Sequence, residues 1–322
     1  MILLVSPAAP DSITGNGVTA RRWAGFLREL GHQVELSREY HGGSYDALLA
    51  LHARKSADAI RRFHADHPDA PVVLALTGTD LYPDLATAGV DPGVLAVAGR
   101  LVLLQPRGLG QLDPATRERA RVIVQSVPPI RRKPPRADCF EVAFLAHLRP
   151  VKDPLRPAEA VRELPAGSRI RVTHLGEAQD EELGAAAAAE SATNPRYDWL
   201  GARPREEALD LLARSRLLVL TSRQEGGANV VSEALAARVP IVCSAIPGSA
   251  GLLGADYPGY FPVGDSSALA RALYDAEQDS GGYYGVLRDH CAALAGLVDP
   301  EHERRAWAAL LTELALPAGQ SR

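Results

Sequence analysis

Cysteine is scarce in this chain. Cys139, Cys243 and Cys291 are the only three in 322 residues. They are odd in number and far apart, so they have neither the pairing of a disulfide framework nor the spacing of a thiolate metal site. No apolar run approaches the ~20 residues that a membrane-spanning helix requires. Asp-x-Asp occurs nowhere, and the nine histidines form no ligand cluster, so the usual carboxylate and imidazole metal sets are missing. No basic stripe dominates any segment and the net charge is −4, which excludes the electrostatic footprint of a nucleic-acid binder. Short basic clusters at Arg21-Arg22, Arg54-Lys55 and Arg131-Arg132-Lys133 read as solvated surface. The first strand begins at Ile2 and leaves no room for a signal peptide, so a reducing cytoplasm is the expected location. What is present is the composition of a globular enzyme, 46% hydrophobic and 23% charged, in a chain long enough for two domains with separate cores.

Short continuous apolar runs alternate with helical patterns. In the first half, strands are expected at 2–5, 33–36, 47–51, 72–76, 101–104 and 122–125, with helices at 18–30, 56–64 and 114–119. Continuous rather than alternating runs point to parallel strands covered on both faces, a doubly wound α/β pattern. The stretch Val127-Pro-Pro-Ile-Arg-Arg-Lys-Pro-Pro-Arg136 cannot continue either element and reads as a linker. A second series follows, with strands at 142–146, 170–174, 197–200, 217–220 and 241–243. Its helices fall at 154–163, 180–189 (which contains the alanine run 185–189), 205–213, 230–237 and 267–276, and a last helix at 301–314 follows Asp299-Pro300. The expected organisation is therefore an N-terminal Rossmann-like domain over 1–130, a linker at 131–138 and a second Rossmann-like domain over 139–300. The C-terminal helix, 301–322, is expected to pack back towards the first domain. Two such halves would face a central cleft from the carboxyl ends of their strands, where open α/β sheets bind ligands.

Three segments carry candidate chemistry. Gly15-Asn16-Gly17-Val18-Thr19-Ala20 matches the dinucleotide pattern G-x-G-x-x-A, and Glu35 lies where a ribose-binding acid would. About nine residues separate this glycine motif from the first strand, however, and a true fingerprint turns directly from strand to helix. A lid whose amides face an anion fits better. In the second segment Glu225 and Glu233 flank the start of a helix after the strand at 217–220. Gly226-Gly227 lets backbone approach a ligand, and the amides from Gly227 to Val230 open a helix N-terminus. Glu233 is placed to accept from vicinal hydroxyls such as those of a ribose, and Glu225 to reach a transferred sugar; the alternative is a pair of surface glutamates on a favourable helix dipole. In the third segment, His147-Leu-Arg149-Pro-Val-Lys152-Asp153, Arg149 and Lys152 are spaced to converge on a diphosphate and to neutralise a leaving nucleotide. An exposed basic loop is the alternative there.

The second half resembles family 4 glycosyltransferases along most of its length. Arg149-Pro-Val-Lys152 resembles that family's Arg-x-x-Lys diphosphate site, and Asp198-Trp-Leu-Gly201 the strand and glycine before its base pocket. Ser222-Arg-Gln-Glu225-Gly-Gly, Val231-Ser-Glu233-Ala-Leu-Ala and Val239-Pro-Ile-Val resemble its donor-binding core. The resemblance implies a GT-B fold. It also implies catalytic roles for Arg149, Lys152 and Glu225, and a donor site of Gly201, Gly226, Gly227, Ala228, Asn229 and Glu233. The absence of Asp-x-Asp argues against the metal-dependent single-domain type of glycosyltransferase, so leaving-group charge would fall to the two cations and the helix terminus.

A narrower similarity runs through Gly15-Asn-Gly-Val-Thr-Ala-Arg-Arg-Trp23, Ala50-Leu-His-Ala-Arg-Lys-Ser56, Leu76-Thr-Gly-Thr-Asp-Leu-Tyr82, Glu225-Gly-Gly-Ala-Asn229 and Asp256-Tyr-Pro-Gly-Tyr-Phe-Pro262. These segments are similar to the selenosugar synthases of selenoneine biosynthesis (SenB). This similarity implies transfer of a sugar from UDP-GlcNAc or a related UDP-sugar to the selenium of selenophosphate. Gly15, Asn16, Gly17, Thr19 and Arg22 on the glycine loop, with His52, Arg54, Thr79 and Asp80 at strand ends, would then form the acceptor site for a small anion. The chain is expected to use no cofactor beyond its two substrates and to work as a monomer or weak homodimer. Another small acceptor, a UDP-sugar epimerase or hydrolase, and a nucleotide-sugar sensor remain as competing readings.

Overall fold

The computed structural model describes residues 1–9, 12 and 14–316. Its first compact unit comprises Met1–Gln125, Glu225–Ala228 and the chain from Pro300 onwards. Within it run β1 (Ile2–Val5), α1 (Gly15–Glu29), β2 (Val34–Ser37), β3 (Ala47–Leu51), α2 (Ala57–Asp66), β4 (Val72–Leu76), α3 (Pro92–Val97), β5 (Arg100–Leu103), α4 (Pro114–Glu118) and β6 (Ala120–Val122). The six strands form one sheet in the order β2-β1-β3-β4-β5-β6, all parallel.

All five residues of β3 and all five of β4 are buried, because helices cover both faces of the sheet. Successive strand residues point to opposite faces, and the core divides accordingly. Leu48, Ala50, Leu74 and Leu76 pack with Ile60 and Phe63 of α2 on one side. Leu49, Leu51, Val73 and Ala75 pack with Trp23 and Leu27 of α1 on the other. That second face also takes Trp307, Leu310 and Leu311 from the C-terminal helix Pro300–Glu313. Of the span 301–322 expected to pack there, residues 317–322 lie outside the described residues.

The second unit comprises Ser126–Gln224 and Asn229–Asp299. It contains β7 (Phe140–Leu145), α5 (Arg156–Arg162), β8 (Ile170–Leu175), α6 (Glu181–Thr193), β9 (Tyr197–Trp199), α7 (Arg205–Arg214), β10 (Leu217–Leu220), α8 (Asn229–Ala236), β11 (Ile241–Ser244), α9 (Pro247–Leu253), β12 (Tyr260–Phe261), α10 (Ser266–Gln278) and α11 (Tyr283–Ala293); the C-terminal helix of the first unit is α12. Its sheet is again parallel, in the order β12-β11-β10-β7-β8-β9. From β7 the chain winds outward through β8 and β9, then returns to β10 on the other side of β7 and winds out through β11 and β12. The loops leaving β7 and β10 therefore diverge at a topological switch point, where open α/β sheets leave a crevice.

Strands expected at 2–5, 47–51, 72–76 and 217–220 coincide with those observed. The first unit ends at Gln125 rather than 130, because Val127 already donates to Val298 O at 3.0 Å. The proline-rich stretch is strapped to the second unit: Lys133 N donates to Ala213 O at 3.0 Å, and its ammonium pairs with Asp210 at 2.7 Å. Three helices escaped the pattern reading, α3, α9 and α11. The first two are short and open on proline, and α11 follows Gly281-Gly282 at positive φ.

Candidate functional site

At the switch point of the second sheet, Arg149 to Asp153 make a tight turn after β7. Lys152 N donates to Arg149 O at 2.9 Å, and Asp153 closes the turn in the left-handed region at φ 46°. The turn is locked to the end of β10. Thr221 Oγ1 bonds Lys152 O at 2.8 Å and Asp153 O at 2.9 Å, and Arg223 N donates to Val151 O at 2.8 Å. Arg223 also reaches Asp153 Oδ1 at 3.4 Å, and Arg156 Nε pairs with Asp153 Oδ2 at 3.0 Å. Arg149 is half-buried, and its Nε has no hydrogen-bond partner among the described residues. A buried guanidinium N–H left in this way is costly unless a ligand oxygen meets it. Beside the turn lies a cleft of about 490 Å³ lined by Pro150, Val151, Leu155, Leu183, Arg223 and Gln224, among others.

The ends of β7, β8 and β9 are tied together behind this turn. Gly176 N donates to Gly201 O at 3.0 Å, and Trp199 Nε1 donates to Gly176 O at 2.9 Å. A Cβ on Gly176 would sit 1.8 Å from Ala146 O, so only glycine allows this approach. Gly201 itself holds φ 72°. His174, fully buried, sits beneath Ala146 with Nε2 2.8 Å from Ala146 O and Nδ1 2.6 Å from Tyr197 OH. The carbonyl can only accept, so Nε2 carries the proton and Nδ1 accepts from the tyrosine. Burial pushes this imidazole down to about 4. The unfolded chain then takes up a proton below about 6.5 that the native chain refuses, so stability is lost as pH falls through that value. We expect about 2 kcal/mol of loss between pH 7 and 5 from this residue. Denaturant titrations of wild type and His174→Gln check it, the variant giving the flatter pH profile.

On α8, Glu233 is nearly buried, and Arg205 Nη2 meets its Oε1 at 2.6 Å. Arg205 was not anticipated; a basic residue opening the helix after Gly201 was the available signal. Asn229, half-buried, begins α8.

Glu225, Gly226, Gly227 and Ala228 belong to the first unit. Glu225 is half-buried and the next three are buried. A Cβ on Gly226 would lie 2.5 Å from Thr77 C, and one on Gly227 2.5 Å from Leu104 Cβ. The glycines therefore admit close approach to protein backbone and side chain, where the sequence suggested approach to a ligand.

Of the first-unit candidates, His52, Arg54 and Thr79 come together at the ends of β3 and β4. His52 Nε2 is 3.1 Å from Thr79 Oγ1, and Arg54 Nη2 is 3.4 Å from Thr79 O. His52 is buried at φ 72°, a strained setting for a non-glycine residue. Burial lowers its pKa, against the pull of Asp80, so the ring is neutral at pH 7. Asp80 has a different geometry from the one expected. It is fully buried, and its oxygens accept from Ala53 N, Thr77 N and Gly78 N, each at 2.8 Å. It braces the two loops from below instead of facing an acceptor.

The glycine loop also differs in detail. Gly15 is exposed and Asn16 half-buried at the start of α1, while a Cβ on Gly17 would lie 2.6 Å from Ser12 O. Thr19 and Arg22 turn inwards: both donate to Gln125 Oε1, and Arg22 Nε pairs with the buried Glu303 at 2.8 Å. Gln125 and Glu303 were not anticipated as members of any site. Among the described residues no group of three or more His, Cys, Asp or Glu is arranged to hold a metal ion, and no helix is long and apolar enough to cross a membrane.

Two parallel α/β sheets, the second with an Arg-Lys turn at its switch point, place the chain in the doubly wound α/β class. Residues 128–292, just over half the chain, match the family model of glycosyl transferases group 1, and the chain belongs to that family. It is 34% identical over 98 residues to the putative teichuronic acid biosynthesis glycosyltransferase TuaC of Bacillus subtilis (strain 168), a match covering 30% of this chain and only a quarter (25%) of that protein. Among solved structures it is similar to Anabaena HepE in complex with UDP, at a TM-score of 0.76 and 16% identity over 97% of this chain and 99% of that one. Sucrose-phosphate synthase from Thermosynechococcus elongatus gives 0.75 and 15% over 98% of both chains. A glycosyltransferase from Rickettsia africae ESF-5 gives 0.77 and 13%, again over 98% of both. The fold is that of the GT-B glycosyltransferases.

Proposed function

We propose that this chain transfers a sugar, GlcNAc or a close relative, from its UDP ester to selenophosphate. The observation that carries the donor half is the turn from Arg149 to Asp153, pinned to β10 at the switch point with the Arg149 guanidinium partly unpaired. On this reading Arg149 and Lys152 meet the diphosphate, whose negative charge grows as the anomeric carbon–oxygen bond breaks. They take the part that a bound divalent ion plays elsewhere, so transfer should survive a chelator. Glu233, oriented by Arg205, accepts from the ribose hydroxyls. Glu225 and the backbone of Gly226, Gly227, Ala228 and Asn229 take the sugar end.

The acceptor half rests on the similarity of residues 15–23, 50–56 and 76–82 to selenosugar synthases, and on His52, Arg54 and Thr79 meeting at two strand ends. A cation and two hydrogen-bonding side chains suit a small phosphate-like anion better than a lipid or a polymer. Selenium attacks the anomeric carbon as UDP leaves, and water then cleaves the selenium–phosphorus bond, giving phosphate and a selenol sugar. Selenophosphate is already a strong nucleophile, so no dedicated base is needed and His52 orients it.

The test is anaerobic incubation with UDP-GlcNAc and selenophosphate, with mass spectrometry of the sugar product. A selenium-containing sugar and UDP release only in the presence of selenophosphate are expected. UDP release in water alone, or a product without selenium, would sink the acceptor assignment.

A further inference from the structure

Gly226 and Gly227 have no side chains by which their loop is held, and a Cβ on them would meet Thr77 and Gly78 at the first and Leu104 at the second. A side-chain amide also holds the main chain of this loop. Gln125, buried beyond the end of β6, donates from Nε2 to Gly227 O at 2.7 Å.

A carboxamide has one end that only accepts and one that only donates. Two donors converge on Gln125 Oε1, the Thr19 hydroxyl and Arg22 Nη2, the latter at 2.7 Å. Turning the amide over would set N–H against guanidinium N–H and oxygen against the Gly227 carbonyl, so the assignment follows from chemistry. Arg22 is held in its turn. Its Nε donates to Glu303 Oε2 at 2.8 Å, while Glu303 Oε1 accepts from Trp23 Nε1 at 2.6 Å. The Glu303 side chain has no exposure and that of Arg22 only 13%. A buried ion pair adds little net stability compared with well-packed apolar groups, but it fixes direction.

We propose that Gln125 is a positioning residue for the loop Glu225–Ala228, setting its main chain through the Gly227 carbonyl, and that Glu303, through Arg22, dictates which end of the Gln125 amide faces the loop. The consequence for transfer rests on the donor reading above, in which this loop meets the sugar end of the UDP-sugar.

Gln125→Glu keeps shape and keeps an oxygen for Thr19 and Arg22, but turns an acceptor towards Gly227 O. Gln125→Met removes the donor without adding repulsion. The expected order of kcat/KM for the UDP-sugar is Gln above Met above Glu, with about a 30-fold loss in Gln125→Glu. UDP affinity, which involves no sugar contact, should shift less than about threefold, and the melting temperature should not follow the kinetic order. In the ligand-free proteins, amide hydrogen exchange over 225–229 should quicken in the same order. Wild-type kinetics and exchange in both variants would overturn the proposal, as would parallel losses of UDP affinity, turnover and melting temperature. A wild-type protein that turns over no UDP-sugar would instead refute the donor reading, and loop exchange would still decide whether Gln125 positions the loop.

Discussion

Arg149→Ala should lower kcat/KM by about 10²–10³-fold while leaving the melting temperature within a few degrees of wild type. The magnitude is that of removing one preorganised donor from a group whose charge grows in the transition state. The side chain is half-buried on a turn whose own hydrogen bonds, from Thr221 Oγ1 and Arg223 N, are made to and by main chain and do not involve the guanidinium. Lys152→Ala should show a similar but smaller loss, because an ammonium is a point charge where the guanidinium is a fork. Arg149→Lys separates the two properties: it retains charge, loses the planar pair of donors, and should recover only part of the rate. Initial rates of UDP release beside thermal melts decide the matter, and normal turnover by both alanine variants would refute the assignment.

The second large effect is on stability. Trp307→Ala should cost about 3–5 kcal/mol in the first unit. Trp307 is 1% exposed, meets Trp23 edge-on with ring centroids 4.8 Å apart, and lies in the cluster that covers one face of the first sheet. Leu310 and Leu311 share that cluster, and Glu313 pairs with Arg100 and Arg121 at 2.9 and 2.8 Å near the sheet edge. With two units of separate core, urea unfolding need not be two-state. The expected signature is an earlier first transition and an unmoved second one. Superimposable curves would mean that α12 adds nothing to the first unit's core.

The sheets were legible because their physics is written in short range: Ala47–Leu51 and Val72–Leu76 are continuous apolar runs, and only a strand covered on both faces needs one. The Arg-Lys turn was legible as a candidate for a similar reason, since Arg149 and Lys152 lie within one loop next to a strand end. What lay hidden was long-range. Asp80 looks in sequence like any polar residue after a strand, and only three-dimensional structure brings Ala53 N to its carboxylate. Arg22 and Glu303 are 281 positions apart, and no local pattern links them. Gly226-Gly227 suggests approach to a ligand, whereas the groups that approach are Thr77 and Leu104, which local sequence does not name.

The placement of α12 also bears on how the chain is made. Synthesis runs from the N-terminus, and domains usually fold in the order in which they emerge from the ribosome. Here the first unit closes its core with Trp307, Leu310 and Leu311, whereas every residue of the second unit lies before Pro300. The second sheet and its helices can therefore reach their final form while the earlier-made half still exposes the face that Trp23 and Leu27 help to build. A nascent chain halted before α12 should accordingly show a protease-resistant second half and a digestible first.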